Sequence, residues 1–331
     1  MIAARPAPAA TRGRRRSPLP GLIAVIRALA RVLVVVWAAA TVGFFALMVI
    51  PGDPVDVMLG VQAQVSEGVR DDIRAQWGLD QPALVQYIDY LARLAVGDFG
   101  VSYQLRTPVV EVIGDQLVPT LQLGAAALVV ALGIASLTAL AARGRWSSRV
   151  VSMLELVVIS SPTFWTGLIL LSVFSFSLGW FPVTSSEGLR SLILPAVTLA
   201  LPVAGIISQV LRQGLDHAES QPFALTARAR GISPARLVSR HTARHAAMDS
   251  LTLSGYLVGA VLGGSVLVET VFARPGLGQV TIRAIIGRDL PVILGLIVLS
   301  ALIFAIINLA VDYSYRALDP RLRRPGQKGP S

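Results

Sequence analysis

Apolar and polar positions alternate along this chain in long blocks. Apolar runs occupy about 21–50, 119–142, 150–176, 192–213, 251–272 and 291–315, with polar stretches between them. Each run reaches the roughly 20 residues a helix needs to cross a hydrocarbon core. The pattern predicts an all-α polytopic membrane protein with six transmembrane helices. Pro195 and Pro202 fall inside the fourth run and predict an interruption there, because proline removes a backbone donor and frees a carbonyl that neighbours must satisfy. The first run has no small-residue cleavage site and is too long for a signal-peptide core, so residues 21–50 are expected to remain as helix 1.

The polar blocks set the topology. Residues 1–20 carry Arg5, Arg12, Arg14, Arg15 and Arg16 among Pro, Ala and Gly and read as a disordered basic tail. In residues 51–118, between helices 1 and 2, ten acids face only four arginines, so this segment belongs outside the cell. Helical spacing over Val69–Trp77 and Pro82–Val96 places Leu84, Tyr87, Ile88, Leu91 and Leu94 on one face, as in a small cap with its own packing. The tail, the turn with Arg143, Arg145 and Arg149, the island at 214–249 and the segment 316–331 are basic. All fall on one side, which puts both termini in the cytoplasm. Residues 273–290 also carry arginines, yet the span count places them outside; the stretch predicts a re-entrant or interfacial piece packed in protein. The core of the molecule is then 119–315, holding helices 2–6.

The island between helices 4 and 5 is the most structured polar stretch. Pro222 fits a first helical turn, Ala224, Ala227 and Ala229 favour helix, and Gly231 supplies the left-handed residue that ends it. Ser233 and Pro234 then start a second helix as N-cap and first residue. Arg236, Arg240 and Arg244 recur every four residues on one face. Like charges at that spacing weaken an isolated helix by about 0.2–0.5 kcal/mol per pair, so the stripe is expected to meet something negative. A DNA-binding helix-turn-helix has similar geometry. Here the motif is tethered between two membrane spans with no surrounding helices to build a DNA-binding core, so nucleic acid is not expected as a partner.

Composition narrows the chemistry. The chain is 54% hydrophobic and 15% charged, and its net charge of +10 reflects basic cytoplasmic loops. Cysteine is absent and Lys328 is the single lysine, so the phosphate-cradling loop that requires lysine is missing and any ATP would have to be hydrolysed elsewhere. His241 and His245 share a helical face, but HTARH lacks the glutamate of a zinc protease and no neighbouring ligand completes a site. No GxSxG occurs. No catalytic residue, cofactor or metal is expected in this chain. Glu155 lies inside the third run, and an acid at membrane depth is a functional candidate by default; proton coupling is its sharpest form, but six residues from Arg149 a structural or gating role is expected. Asp312 and Glu269 sit near span ends and are expected to be solvated at the interface.

Several stretches together resemble the bacterial ABC-importer permeases of the dipeptide/oligopeptide/nickel group. They are IPGDPVD at 50–56, GLDQP at 78–82, GDFGVS at 97–102, SPTFWTG at 161–167, LGWFP at 178–182, LILPA at 192–196, TARARG at 226–231, VETVFARPGLG at 268–278, Arg288-Asp289 and LDPR at 318–321. The resemblance covers about 22–323. It implies a multi-pass protein of the cytoplasmic membrane, whose 214–249 loop docks its coupling helices on a separate ATPase. By motif position the coupling residues would be Phe223, Thr226, Ala227, Arg228, Ala229, Arg230, Gly231, Ser233, Pro234, Arg236, Arg240 and His241. It further implies a second, homologous permease subunit, two ATPase subunits holding ATP and Mg, an extracellular substrate-binding protein and contact with membrane lipid. Peptides, nickel and metal chelates all travel through such relatives, so this chain does not name its substrate. Pro222-Phe223, His245 and Asp249 depart from the family pattern. An ion-coupled secondary transporter acting without an ATPase is the alternative; it would carry inverted repeats and acids in both halves, which the sequence does not display.

Overall fold

The computed structural model describes residues 19–59, 65–142, 144–183, 188–221, 257 and 259–318. Among them there is no strand, only an isolated antiparallel bridge between Val101 and Pro108. The helices are α1 (Leu19–Val49), α2 (Pro54–Leu59), α3 (Glu67–Gln76), α4 (Ala83–Ala95), α5 (Val109–Ala141) and α6 (Arg145–Ser160). They continue as α7 (Thr163–Leu170), α8 (Arg190–Ser220), α9 (Gly259–Val271), α10 (Leu277–Ile286) and α11 (Leu290–Leu318).

The centre is the pair α5 and α8, which pack along one another. Ala127, Ala131, Ala135 and Ala139 form a buried row on α5, and Ala196, Ala200 and Ala204 form one on α8. Small residues every fourth position let two backbones approach closely where lipid offers no hydrophobic drive. Leu123, Leu199, Val203, Val261, Val268 and Phe272 fill the core around this seam. The α8 row continues past the alanines into Ser208 and Arg212, so the seam that organises the fold also delivers a polar pair to its far end. By contrast α1 lies at the periphery against α11. Only 11% of its most apolar window is buried in the chain, against 67% for α8, so α1 presents its apolar surface outward.

Two expectations change. Residues 150–176 are not one straight span: α6 and α7 meet at 106°. Pro162 lacks the N–H to continue α6 and forces Ser161 into extended backbone, φ −81° and ψ 132°; after α7 the chain widens into π-helical turns over Leu171–Ser177. The fourth run is not interrupted, since α8 carries Pro195 and Pro202 inside one helix. Among the described residues, four helices are long and apolar enough to span a membrane, or up to five with the bent pair counted as one. The expected span at 251–272 begins outside the described residues, and its described part, α9, is shorter. Helix α5 begins at Val109, ahead of the apolar run, with Pro119 within it.

In the cap, α3 and α4 form over nearly the expected residues, but the packed face of α4 is turned. Leu84 and Ile88 are exposed, while Tyr87 and Tyr90 pack on Phe44 of α1 with ring centroids 5.5 and 5.7 Å away. Helix α4 rests on α1 through its tyrosines rather than its leucines.

Candidate functional site

At one end of the α5–α8 seam, a polar cluster joins three helices. Glu155 of α6 is buried. Its Oε1 accepts a 2.5 Å hydrogen bond from Ser208 Oγ, and its Oε2 accepts one from Arg212 Nη2, an ion pair. Arg212 Nη1 also donates to Ser152 Oγ at 3.1 Å, and Thr138 Oγ1 of α5 lies 2.8 Å from Ser208 Oγ. The register of α8 explains the assembly: Ser208 and Arg212 are four apart and share a face, as do Ser152, Glu155 and Ile159 on α6. Gly205 brings the two helices together, because a Cβ there would stand 2.8 Å from Ile159 Cγ1. Arg212 Nε is buried without a partner. A buried carboxylate needs both a countercharge and hydrogen bonds to offset its desolvation, and this cluster supplies both from side chains alone.

A second buried carboxylate does different work. Glu269 of α9 is fully buried, which corrects the expectation of interfacial solvation. Thr120 Oγ1 donates to its Oε1 at 2.6 Å, and the Gly278 N–H donates to its Oε2 at 2.7 Å. Thr120 Oγ1 in turn accepts the Leu277 N–H at 2.8 Å. Glu269 and Thr120 therefore satisfy the otherwise unpaired first N–H groups of α10. A Cβ at Gly276 would overlap the Glu269 carboxylate, and one at Gly278 would overlap Val266 Cα, so the glycines of ARPGLG let the loop wrap the acid. Buried Arg274 supplies a nearby positive charge. The expected packed piece at 273–290 is thus α10, held against α5 and α11.

A latch on the cap side completes the frame. Asp289 is buried and accepts hydrogen bonds from Ser102 Oγ, from Tyr103 N at 3.1 Å and from Gln104 N at 3.3 Å. Burial, with Asp289 nearby, pushes the Tyr103 hydroxyl up to about 12, so it stays a neutral donor. Farther out, burial opposes the charge of Asp53, but a 2.5 Å bond from Arg74 and the Val55 N–H outweigh it and hold the carboxyl below its usual value.

Of the residues singled out in the sequence, Glu155 is placed, and it is paired. The coupling residues Phe223, Thr226, Ala227, Arg228, Ala229, Arg230, Gly231, Ser233, Pro234, Arg236, Arg240 and His241 lie outside the described residues. Arg212 and Ser208 were missed as mates of Glu155, although the first arginine after an apolar run, one helical turn beyond a serine, was a usable signal. No group of acids and histidines with metal-site geometry occurs among the described residues.

The family model for binding-protein-dependent transport system inner membrane components matches residues 97–324, and its N-terminal counterpart matches 22–124. A protein named as a peptide transport system permease from Brucella abortus (strain 2308) is 35% identical over 310 residues, covering 90% of this chain and 98% of that protein. The glutathione transport system permease protein GsiC of Salmonella choleraesuis (strain SC-B67) is 37% identical over 287 residues, covering 86% and 93%. Its namesake from Escherichia coli (strain K12) is 35% identical over 302 residues, covering 90% and 98%. A chain of the MetNI methionine ABC transporter, solved in inward-facing conformations, aligns with TM-score 0.49 at 21% identity, over 62% of this chain and 95% of that one. With the family model matched over most of its length, the chain belongs to the binding-protein-dependent transport system inner membrane components and is a multi-pass permease of an ABC importer.

Proposed function

We propose that this permease forms half of a translocation path for peptides or a related small solute, glutathione-like peptides included, and that it moves when partner ATPases close on its 214–249 loop. The complete assembly would hold six spans in this chain, a second homologous permease, two ATPase subunits and an external binding protein, with both termini in the cytoplasm. The observation that carries the coupling role is the Glu155–Arg212 clasp. It ties α6 to the segment of α8 that runs into the loop, so a push on the loop reaches α6 and, through Ser208 and Thr138, α5. A signal of this kind needs an element with two arrangements that the ATPase state biases, and a side-chain clasp at a helix joint provides one. The similarity to ABC transport permeases supports this reading over the ion-driven alternative.

Gly231 is the test of the loop. Gly231→Val removes the residue expected to turn between the two coupling helices, and it should leave the protein in the membrane while uptake is lost and ATP hydrolysis continues. Normal uptake by that variant would refute the coupling role of the loop.

A further inference from the structure

Beneath the cap lies a cavity of about 710 Å³, bounded by the end of α1, the start of α11, α4 and the loop at 98–103. It is unrelated to the Glu155 cluster, and its walls divide by chemistry. On the membrane side are Phe44, Leu47 and Met48 of α1 with Ile293 and Leu294 of α11, all within helices apolar enough to span a bilayer. On the cap side are charges. Arg74 is already tied to Asp53 and Asp71, and Asp98 Oδ1 accepts the Gly100 N–H at 2.8 Å. Arg288 donates to the Pro51 carbonyl at 3.0 Å and has no acid partner among the described residues, and Asp89 and Arg93, one turn apart on α4 and both lining the cavity, make no hydrogen bond or ion pair there. Between the two halves, Tyr90 lines the cavity, its hydroxyl closed off from solvent.

An apolar floor at membrane depth and free charges of both signs at the surface together describe a single kind of ligand. The geometry points to a phospholipid with a zwitterionic headgroup as the occupant: its phosphate on Arg93 and Arg288, its ammonium on Asp89 and an acyl chain over Phe44, Leu47 and Leu294. The volume lies within the range of ligand pockets and takes the headgroup and upper chain. The remaining chain length runs down α1, whose outward face is apolar and exposed. A soluble zwitterion would meet the same charges but leave the apolar floor wet. An anionic lipid would satisfy Arg93 and leave Asp89 facing a like charge. In that site the lipid seals the cap onto the α1–α11 pair.

The test is native mass spectrometry of the full transporter in detergent, titrated with phosphatidylethanolamine, phosphatidylglycerol or glycerophosphoethanolamine, the last being the headgroup without chains. The wild type should retain one phosphatidylethanolamine per copy of this chain in preference to phosphatidylglycerol, with no competition from the chainless headgroup. Arg93→Gln and Asp89→Asn, both exposed and remote from the core, should each lower retention at least about tenfold, the loss expected for one hydrogen bond to a charged group. Equal retention in the charge variants, equal retention of the two lipids, or displacement by glycerophosphoethanolamine would each overturn the assignment. Uptake is not the readout, so the result is independent of the coupling mechanism.

Discussion

Glu155 and Glu269 are both carboxylates buried among membrane helices, yet they are held in opposite ways. Glu269 takes up backbone N–H groups and a threonine hydroxyl at the junction of α5, α9 and α10. Those donors are fixed by the chain itself, so breaking them means unravelling the start of α10. Glu155 is held only by side chains, Ser208 and Arg212, at a joint between two helices. Side-chain bonds can part and re-form as α6 slides on α8 without exposing a backbone group. The carboxylate held by backbone belongs to the scaffold, and the one held by rotatable partners is the one to which the proposed coupling role falls.

The largest effect should come from the scaffold side. Glu269→Ala leaves the Gly278 N–H and the Thr120 hydroxyl buried without their acceptor and removes the negative charge near Arg274, and each stranded donor costs about 1–3 kcal/mol. The variant should fail to accumulate in the membrane, as should Gly276→Leu, which fills the space of the carboxylate. Quantitative blotting of membrane fractions reads this out, and normal levels of either would erase the distinction between the two sites. Gly205→Ala should come next. Its Cβ, 2.8 Å from Ile159 Cγ1, forces α6 away from α8, an overpacking cost of about 1–3 kcal/mol. The protein should still insert, with uptake reduced, and Ile159→Ala should restore it by making room.

The smallest effect lies in the cap, remote from both acids. Because the Asp53 carboxyl is held below its ordinary value of 3.8, the Asp53–Arg74 pair stabilises the cap above about pH 4 and the stabilisation is lost as pH falls through the lowered value. Arg74 keeps its charge throughout. Protease resistance of the cap should therefore drop on acidification below about pH 4 in the wild type, and Asp53→Asn should flatten that drop.

Much of this arrangement was written in local patterns. Apolar run lengths located α1, α5, α8 and α11 because a helix in a bilayer must satisfy its own backbone over a fixed thickness. Hydropathy is blind to direction, however, so Pro162 turned one expected span into two helices at 106°, while Pro195 and Pro202 sat inside α8 without breaking it. Glu155 stood out as an anomaly of composition. Its mates did not, because Arg212 reads as the first residue of a basic loop until α8 is seen to carry it onto α6. Glu269 was misjudged for a similar reason: distance along the chain to a span end says nothing about a loop folding back over it. The alanine rows at 127, 131, 135 and 139 and at 196, 200 and 204 were visible as small residues at fourfold spacing, yet only their mutual packing reveals them as the seam.

The central claim, that Glu155 serves coupling rather than folding, is tested most directly by measuring uptake and ATP hydrolysis together in proteoliposomes holding the complete transporter with Glu155→Gln. The amide keeps the shape and a bond to Ser208 but gives up the ion pair with Arg212. The account predicts an inserted, assembled transporter whose uptake falls at least about tenfold while ATP hydrolysis persists, as expected when a hydrogen bond to a charged group is lost from the coupling step. A transporter in which the two activities fall in parallel, or in which neither changes, would contradict it.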